Sequence, residues 1–193
     1  MPLIVYTARI SSRDPDRLDV TRKSAGPEGL PFAPSADLLR AGKSARVTFA
    51  EYDRRYVEEM RRSWLEHRGA WLAVLARPRV VLCCYCTNPA ECHRSLLAGL
   101  LAKCGAEVRG EVGLEAAIGQ IVAGEKATGR LTPRMIVEAC EAHGAEACVV
   151  WATLEARGVI ERGSYEVAKD KGLLKALAKR RRELSTEPGK LLR

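Results

Sequence analysis

Arg79-Val80-Val81-Leu82-Cys83-Cys84-Tyr85-Cys86-Thr87-Asn88-Pro89-Ala90-Glu91-Cys92-His93-Arg94-Ser95 joins an apolar run to a helix start. Val80 to Tyr85 is nearly continuous in apolar residues, the pattern of a parallel strand covered on both faces. Asn88, Pro89 and Glu91 then supply helix-start chemistry: a capping side chain, a proline suited to the first helical position, and an acid where a capping box needs one. The predicted helix runs to about Cys104, with Gly105 as its cap. Ala106 to Val112 alternates and reads as a further strand. Strand, helix and strand over about 30 residues make a βαβ unit.

Working outward, Leu3 to Ala8 reads as a first buried strand, Arg13-Asp14-Pro15-Asp16 as a turn, and Arg17 to Thr21 as a second short strand. Residues 22–34 hold three prolines and two glycines and form a long loop, a kind of segment that often carries function. Ser35 caps a short helix through Arg40. Phe49 to Ala76 is one or two helices, with Gly69 as the point of division. Tyr52, Tyr56, Met60, Trp64, Ala70, Trp71 and Val74 recur along it at helical spacing, so the stripe is a core-facing side rather than a base-stacking platform. The fold class is α/β: a small Rossmann-like, mostly parallel sheet flanked by helices over residues 1–112.

Past Val112 the texture is helical, over 114–123, 132–142 and 146–157, with Thr132-Pro133 as a start and Gly144 as punctuation. Leu154 to Gly163 resembles the helix–glycine–strand ending of a winged-helix unit, and Lys169 to Arg182 reads as a basic amphipathic helix. Residues 113–193 therefore form a basic helical region with a winged-helix-like ending.

The composition, 47% hydrophobic and 29% charged over 193 residues, belongs to a folded chain. No apolar run approaches the roughly 20 residues of a membrane helix, and Met1 to Tyr6 lacks the pattern of a secretory signal. A cytoplasmic location and no membrane partner are the expectations. Seven cysteines, an odd number, point to reduced thiols, with Cys104, Cys140 and Cys148 packed as small apolar side chains. The net charge of +8 is spread along the chain: residues 1–112 carry 18 basic and 13 acidic side chains, the remainder 14 and 11. That excess favours anionic partners, a small molecule or nucleic acid.

Four of the seven cysteines, one of three histidines and an arginine fall within twelve positions, Cys83 to Arg94. They lie at the carboxyl end of a strand, where α/β proteins bind ligands. The free N–H groups of a helix start and the guanidinium of Arg94 suit a phosphate or carboxylate. Arg22, Cys84, Asn88 and Arg94 are the candidate ligand-binding residues. Cys92 as thiolate, His93 as acid or base and Asp19 as its orienting carboxylate are the candidate catalytic residues. A cysteine-phosphatase loop fits less well, because seven residues rather than five separate Cys86 from Arg94.

Two other readings stay open. Cys84, Cys86, Cys92 and His93 include enough soft ligands for zinc, although no second Cys-x-x-Cys pair is present and adjacent Cys92 and His93 would diverge on a helix. In the other, the basic C-terminal region grips nucleic acid and the cysteine–histidine cluster is structural. No organic cofactor is expected.

The segment from Leu82-Cys83-Cys84 through Asn88-Pro89 to Cys92-His93-Arg94 resembles family 488 among the domains of unknown function. In that family an apolar strand ends in cysteine and is followed by an acid-proline turn, Cys-His-Arg and a helix. Leu18-Asp19-Val20-Thr21-Arg22 resembles the family's Asp-Val-Arg element, with Thr21 inserted. Cys86 stands where the family usually has an acid. The resemblance spans about residues 3–112 and implies a compact α/β domain with a polar pocket and no established reaction.

Overall fold

In the computed structural model, which describes residues 1–86 and 88–160, four strands form one sheet: β1 (Ile4–Arg9), β2 (Arg17–Asp19), β3 (Arg79–Cys84) and β4 (Glu107–Glu111). Their order is β2-β3-β1-β4, and every pairing is parallel. The two apolar runs are thus the central strands. Their register runs from Ile4 opposite Arg79 to Arg9 opposite Cys84. Asp19 at the end of β2 lies opposite Cys83, so the carboxyl ends of β1, β2 and β3 share one edge.

Between β2 and β3 come α1 (Ala36–Lys43), α2 (Phe49–Glu66) and α3 (Arg68–Leu75), and α4 (His93–Lys103) links β3 to β4. Strand alternation puts Leu3, Val5, Val80 and Leu82 on one face. There they share a core with Leu38 of α1, Tyr56 and Met60 of α2, Trp71 and Val74 of α3, and Leu97 and Leu101 of α4. Ala8, Val81 and Cys83 form a smaller cluster from the alternate positions, with Tyr6, Ile10 and Val112 packed on it. Val80 through Cys84 are all buried, which is why β3 reads as an unbroken apolar run. The architecture is α/β and Rossmann-like.

Some boundaries move, for physical reasons. Helix α4 does not begin with Asn88 as cap. Asn88 Oδ1 accepts from the Ala90 amide at 3.0 Å, a local turn that competes with helix. Cys92 is the N-cap, in extended conformation (φ −130°, ψ 138°). The stripe helix divides at His67 (φ −123°, ψ 36°) rather than Gly69. Ser35 does cap α1, accepting from the Leu38 amide at 3.1 Å, although that helix continues to Lys43.

The chain divides into two compact units, Met1–Val112 and Gly113–Arg193. The described part of the second holds α5 (Leu114–Thr128), α6 (Pro133–His143) and α7 (Ala147–Ala156). Ala117, Ile121, Ile136, Val150, Trp151 and Leu154 form its core. Thr132 caps α6 ahead of Pro133, as the sequence predicts. Helix α5 runs past residue 123 to the left-handed Gly129. No strand lies among described residues 113–160. The rest of the winged-helix-like ending and the basic helix at 169–182 lie outside the described residues. Residues 113–160 carry four basic and six acidic side chains, so the basic excess expected of this region belongs to residues 161–193.

The turn before β2 carries its own electrostatics. Arg79 grips Asp14 with two nitrogens, each 2.7 Å from a carboxylate oxygen, and reaches Asp16 at 2.6 Å. Hydrogen bonds from Arg79 hold the Asp14 carboxyl below its usual range. A depressed folded value contributes stability that is present above the unfolded pKa, near ~3.9. It is lost as pH falls through the folded value. Asp14→Asn should cost about 1 kcal/mol at neutral pH and lose less than wild type on acidification through that window. Urea unfolding across the acid range checks this; parallel losses in both proteins would assign the titration elsewhere.

Candidate functional site

Cys84 closes β3, Cys86 follows it, and Cys92 and His93 stand where α4 begins. The strand-to-helix turn folds these positions onto one another. Cys84 Sγ lies 3.6 Å from Cys86 Sγ and 3.8 Å from His93 Nδ1. Cys84 Sγ, Cys92 Sγ and His93 Nδ1 all fall within 4.8 Å of one another. Cys84, Cys92 and His93 are buried and Cys86 is half-buried. Because Cys92 is an extended N-cap rather than a helical residue, its side chain and that of His93 converge instead of diverging.

His93 is fixed from its far side. Its Nε2 donates to the Val20 carbonyl at 2.9 Å, which assigns the ring proton to Nε2 and leaves the Nδ1 lone pair facing the thiols. Tyr56 packs against the ring at 5.7 Å between centroids, and burial holds the imidazole below its usual pKa, favouring the neutral form. Hydrogen bonds from Cys84 and Cys92 hold the Cys86 thiol low, while Cys84 and Cys86 push Cys92 far up.

Arg94 is completely buried and ties the site together. Its Nε donates to Glu111 at 3.0 Å; its Nη1 donates to the Cys86 carbonyl at 2.8 Å and approaches Cys92 Sγ at 3.7 Å. Nη2 has no hydrogen-bond partner among the described residues. Glu111 also accepts from the Thr7 hydroxyl at 2.6 Å. Glu111 and Thr7 were not among the residues the sequence singled out. A register shift in β4 puts them together: Val108 pairs with Val5, Gly110 with Tyr6 and Glu111 with Thr7. Gly110 takes φ +77° at that bulge, and a glycine inside a strand pattern was the available signal.

The other candidates go elsewhere. Asp19 does not hydrogen-bond His93; its oxygens accept from the Thr21 amide at 2.9 Å and the Ser24 hydroxyl at 2.6 Å. Ser24 in turn lies 3.0 Å from the Tyr85 hydroxyl, so Asp19 organises the loop after β2 against the one after β3. Arg22 donates to the carbonyls of Pro34 and Ala33 at 2.9 and 3.3 Å. It lines a cavity of about 480 Å³ with Arg62, Glu59, Glu66, Ser63 and His67, among others. None of Cys84, Cys86, Cys92, His93 or Arg94 lines that cavity. The candidate ligand-binding residues therefore fall in two places: a thiol–imidazole–guanidinium cluster, and a separate cavity beside Arg22.

Among the described residues, no helix is long and apolar enough to cross a membrane. Residues 16–105 match the family model described as DUF488-N3a, active DUF488-N3 subclade. The match takes in β2, β3 and α4 and leaves β1 and β4 outside. No curated protein and no solved structure matches the chain.

Proposed function

We propose that the DUF488-family domain this chain carries over residues 16–105 binds an anionic small molecule at the start of α4, with a phosphate of a nucleotide-like ligand as the recognised group. The observation that carries this reading is Arg94 Nη2, a buried charged donor with no partner among the described residues. Leaving such a group unsatisfied is costly, roughly 1–3 kcal/mol or more, and an acceptor oxygen from a ligand removes that cost. The same helix end has no side-chain cap, so its backbone N–H groups and partial positive charge favour an anion at the same place. The description of the matched model as an active subclade supports a working site.

The cavity beside Arg22 is the competing location, and one experiment separates the two. Wild type, Arg94→Lys and Arg62→Gln are titrated with nucleoside phosphates and inorganic phosphate, followed by calorimetry and thermal shift. Arg94→Lys keeps the charge but loses the planar fork, and should weaken binding at least about tenfold, or about 1.4 kcal/mol. Arg62→Gln should bind as wild type. In wild type the backbone amide resonances of His93 and Arg94 should move first, a readout that holds even if the lysine variant folds poorly. No binding by wild type, or loss confined to Arg62→Gln, would overturn the reading.

A further inference from the structure

We infer that Cys84, Cys92 and His93, with Cys86 as a fourth and more exposed ligand, form a binding site for one thiophilic divalent cation of the zinc class. This is independent of the anion reading, which concerns Arg94 Nη2.

Distances carry the argument first. With Zn–S bonds near ~2.3 Å and Zn–N bonds near ~2.0–2.1 Å, a tetrahedral site has edges of about 3.8 Å between sulfurs and about 3.6 Å between sulfur and nitrogen. Here the Cys84–Cys86 edge is 3.6 Å and the Cys84–His93 edge 3.8 Å. The Cys84, Cys92 and His93 ligand atoms close a triangle with no side above 4.8 Å. A disulfide would bring two sulfurs to about 2.05 Å, and all seven cysteines are free.

The imidazole supplies the second argument. A ligating histidine presents a lone pair on one nitrogen while the other donates to a carbonyl or carboxylate, which fixes the tautomer. His93 has that arrangement, with Nε2 held by the Val20 carbonyl and Nδ1 turned to the sulfurs. Val20 is itself tied to the sheet, its amide donating to the Cys83 carbonyl at 3.1 Å. The ring's orientation is therefore set by β2 and β3 rather than by the cysteines it faces.

Donor type and setting complete the case. Three sulfurs and one imidazole form a soft set that selects zinc-like ions over magnesium or calcium. Cys84 is 3% exposed, Cys92 1% and His93 4%, and they stand on the end of a strand and the start of a helix. Arg94 Nη1 lies 3.7 Å from Cys92 Sγ, placing a cation against a sulfur that metal binding would make anionic. The sequence spacing Cys-x-Cys-x5-Cys-His lacks paired Cys-x-x-Cys motifs because the turn, not the spacing, gathers the ligands.

The test uses the full chain, purified under reducing conditions with zinc in the medium. Elemental analysis should find about one zinc per chain. Cobalt(II) exchanged into the site should give the thiolate-to-cobalt charge-transfer and intense d–d bands of a tetrahedral centre. Cys84→Ser and Cys92→Ser should lose the metal. Cys86→Ser should keep it with affinity reduced at least about tenfold, and Cys104→Ser, an exposed control, should behave as wild type. Because the buried variants could misfold, wild type carries a second readout: chelation should lower its melting temperature and zinc should restore it. Wild type that takes up neither zinc nor cobalt with its thiols reduced, or that contains a disulfide among Cys84, Cys86 and Cys92, would overturn the site.

Discussion

Glu111→Gln is expected to destabilise the first unit by about 3–5 kcal/mol, the cost of leaving a buried charge without its partner. Arg94 is 0% exposed and the Glu111 side chain 7%. The glutamine keeps an acceptor for Thr7 and Arg94 but removes the compensating charge, so the guanidinium stays desolvated and unpaired. Arg94→Met should cost a similar amount by the reverse route. Replacing both, as Arg94→Met with Glu111→Leu, should recover most of the loss, because apolar residues of similar volume often substitute for a buried pair at little cost. A double-mutant cycle in urea measures the coupling. The two single variants should also part company in hydrogen exchange. Arg94 Nη1 holds the Cys86 carbonyl, so losing the arginine loosens the backbone around Cys86 and losing the glutamate does not. Single-variant costs under about 1 kcal/mol would mean that the pair behaves as a solvated surface ion pair.

How much of this was legible depended on the range of the interactions. β1 and β3 were readable because central parallel strands must be apolar on both faces, and Val80 to Cys84 are buried throughout. Ser35 and Thr132 announced their helices because a cap acts within three residues. The start of α4 departs from its local signal for the converse reason. Asn88 and Pro89 carry the right local chemistry, but Asn88 engages the Ala90 amide, and Ser95 donates to the Pro89 carbonyl at 2.6 Å. Those bonds hold the turn open until Cys92. That shift of four positions makes Cys92 and His93 neighbours of Cys84 and undoes the objection that they would diverge. Glu111 was hidden because its role depends on a one-residue bulge at Gly110 and on a partner 17 positions away. Asp19 and His93 come from segments that do approach each other, but the backbone carbonyl of Val20 makes the bond to His93. A main-chain acceptor leaves no trace in residue identity.

Trp71→Ala should cost about 3–5 kcal/mol, the range for emptying an aromatic site in a core. The periodicity of the aromatic stripe predicts a core face rather than a stacking platform, and Trp71 at 3% and Tyr56 at 0% exposure fit that expectation. Trp71 meets Phe32 edge-on at 5.0 Å and Trp64 at 5.6 Å between ring centroids, geometries that add attraction beyond burial. Its indole N–H donates to the Ser63 hydroxyl at 3.2 Å, and that hydroxyl donates to the Pro31 carbonyl at 2.6 Å. The tryptophan thus pins the turn Leu30–Phe32, whose Phe32 carbonyl accepts from Tyr56 at 2.7 Å, and Tyr56 packs on His93. Trp71→Phe keeps most of the ring contact but drops the N–H, so its cost should be smaller, about 1–3 kcal/mol. Chemical unfolding ranks the two. The alanine variant should also perturb the His93 ring resonances through Phe32 and Tyr56, a relay that a merely local cavity would not produce. Equal costs for Phe and Ala would place the stabilisation in the N–H bond rather than in packing, and an unmoved His93 would confine the effect of Trp71 to the loop it covers.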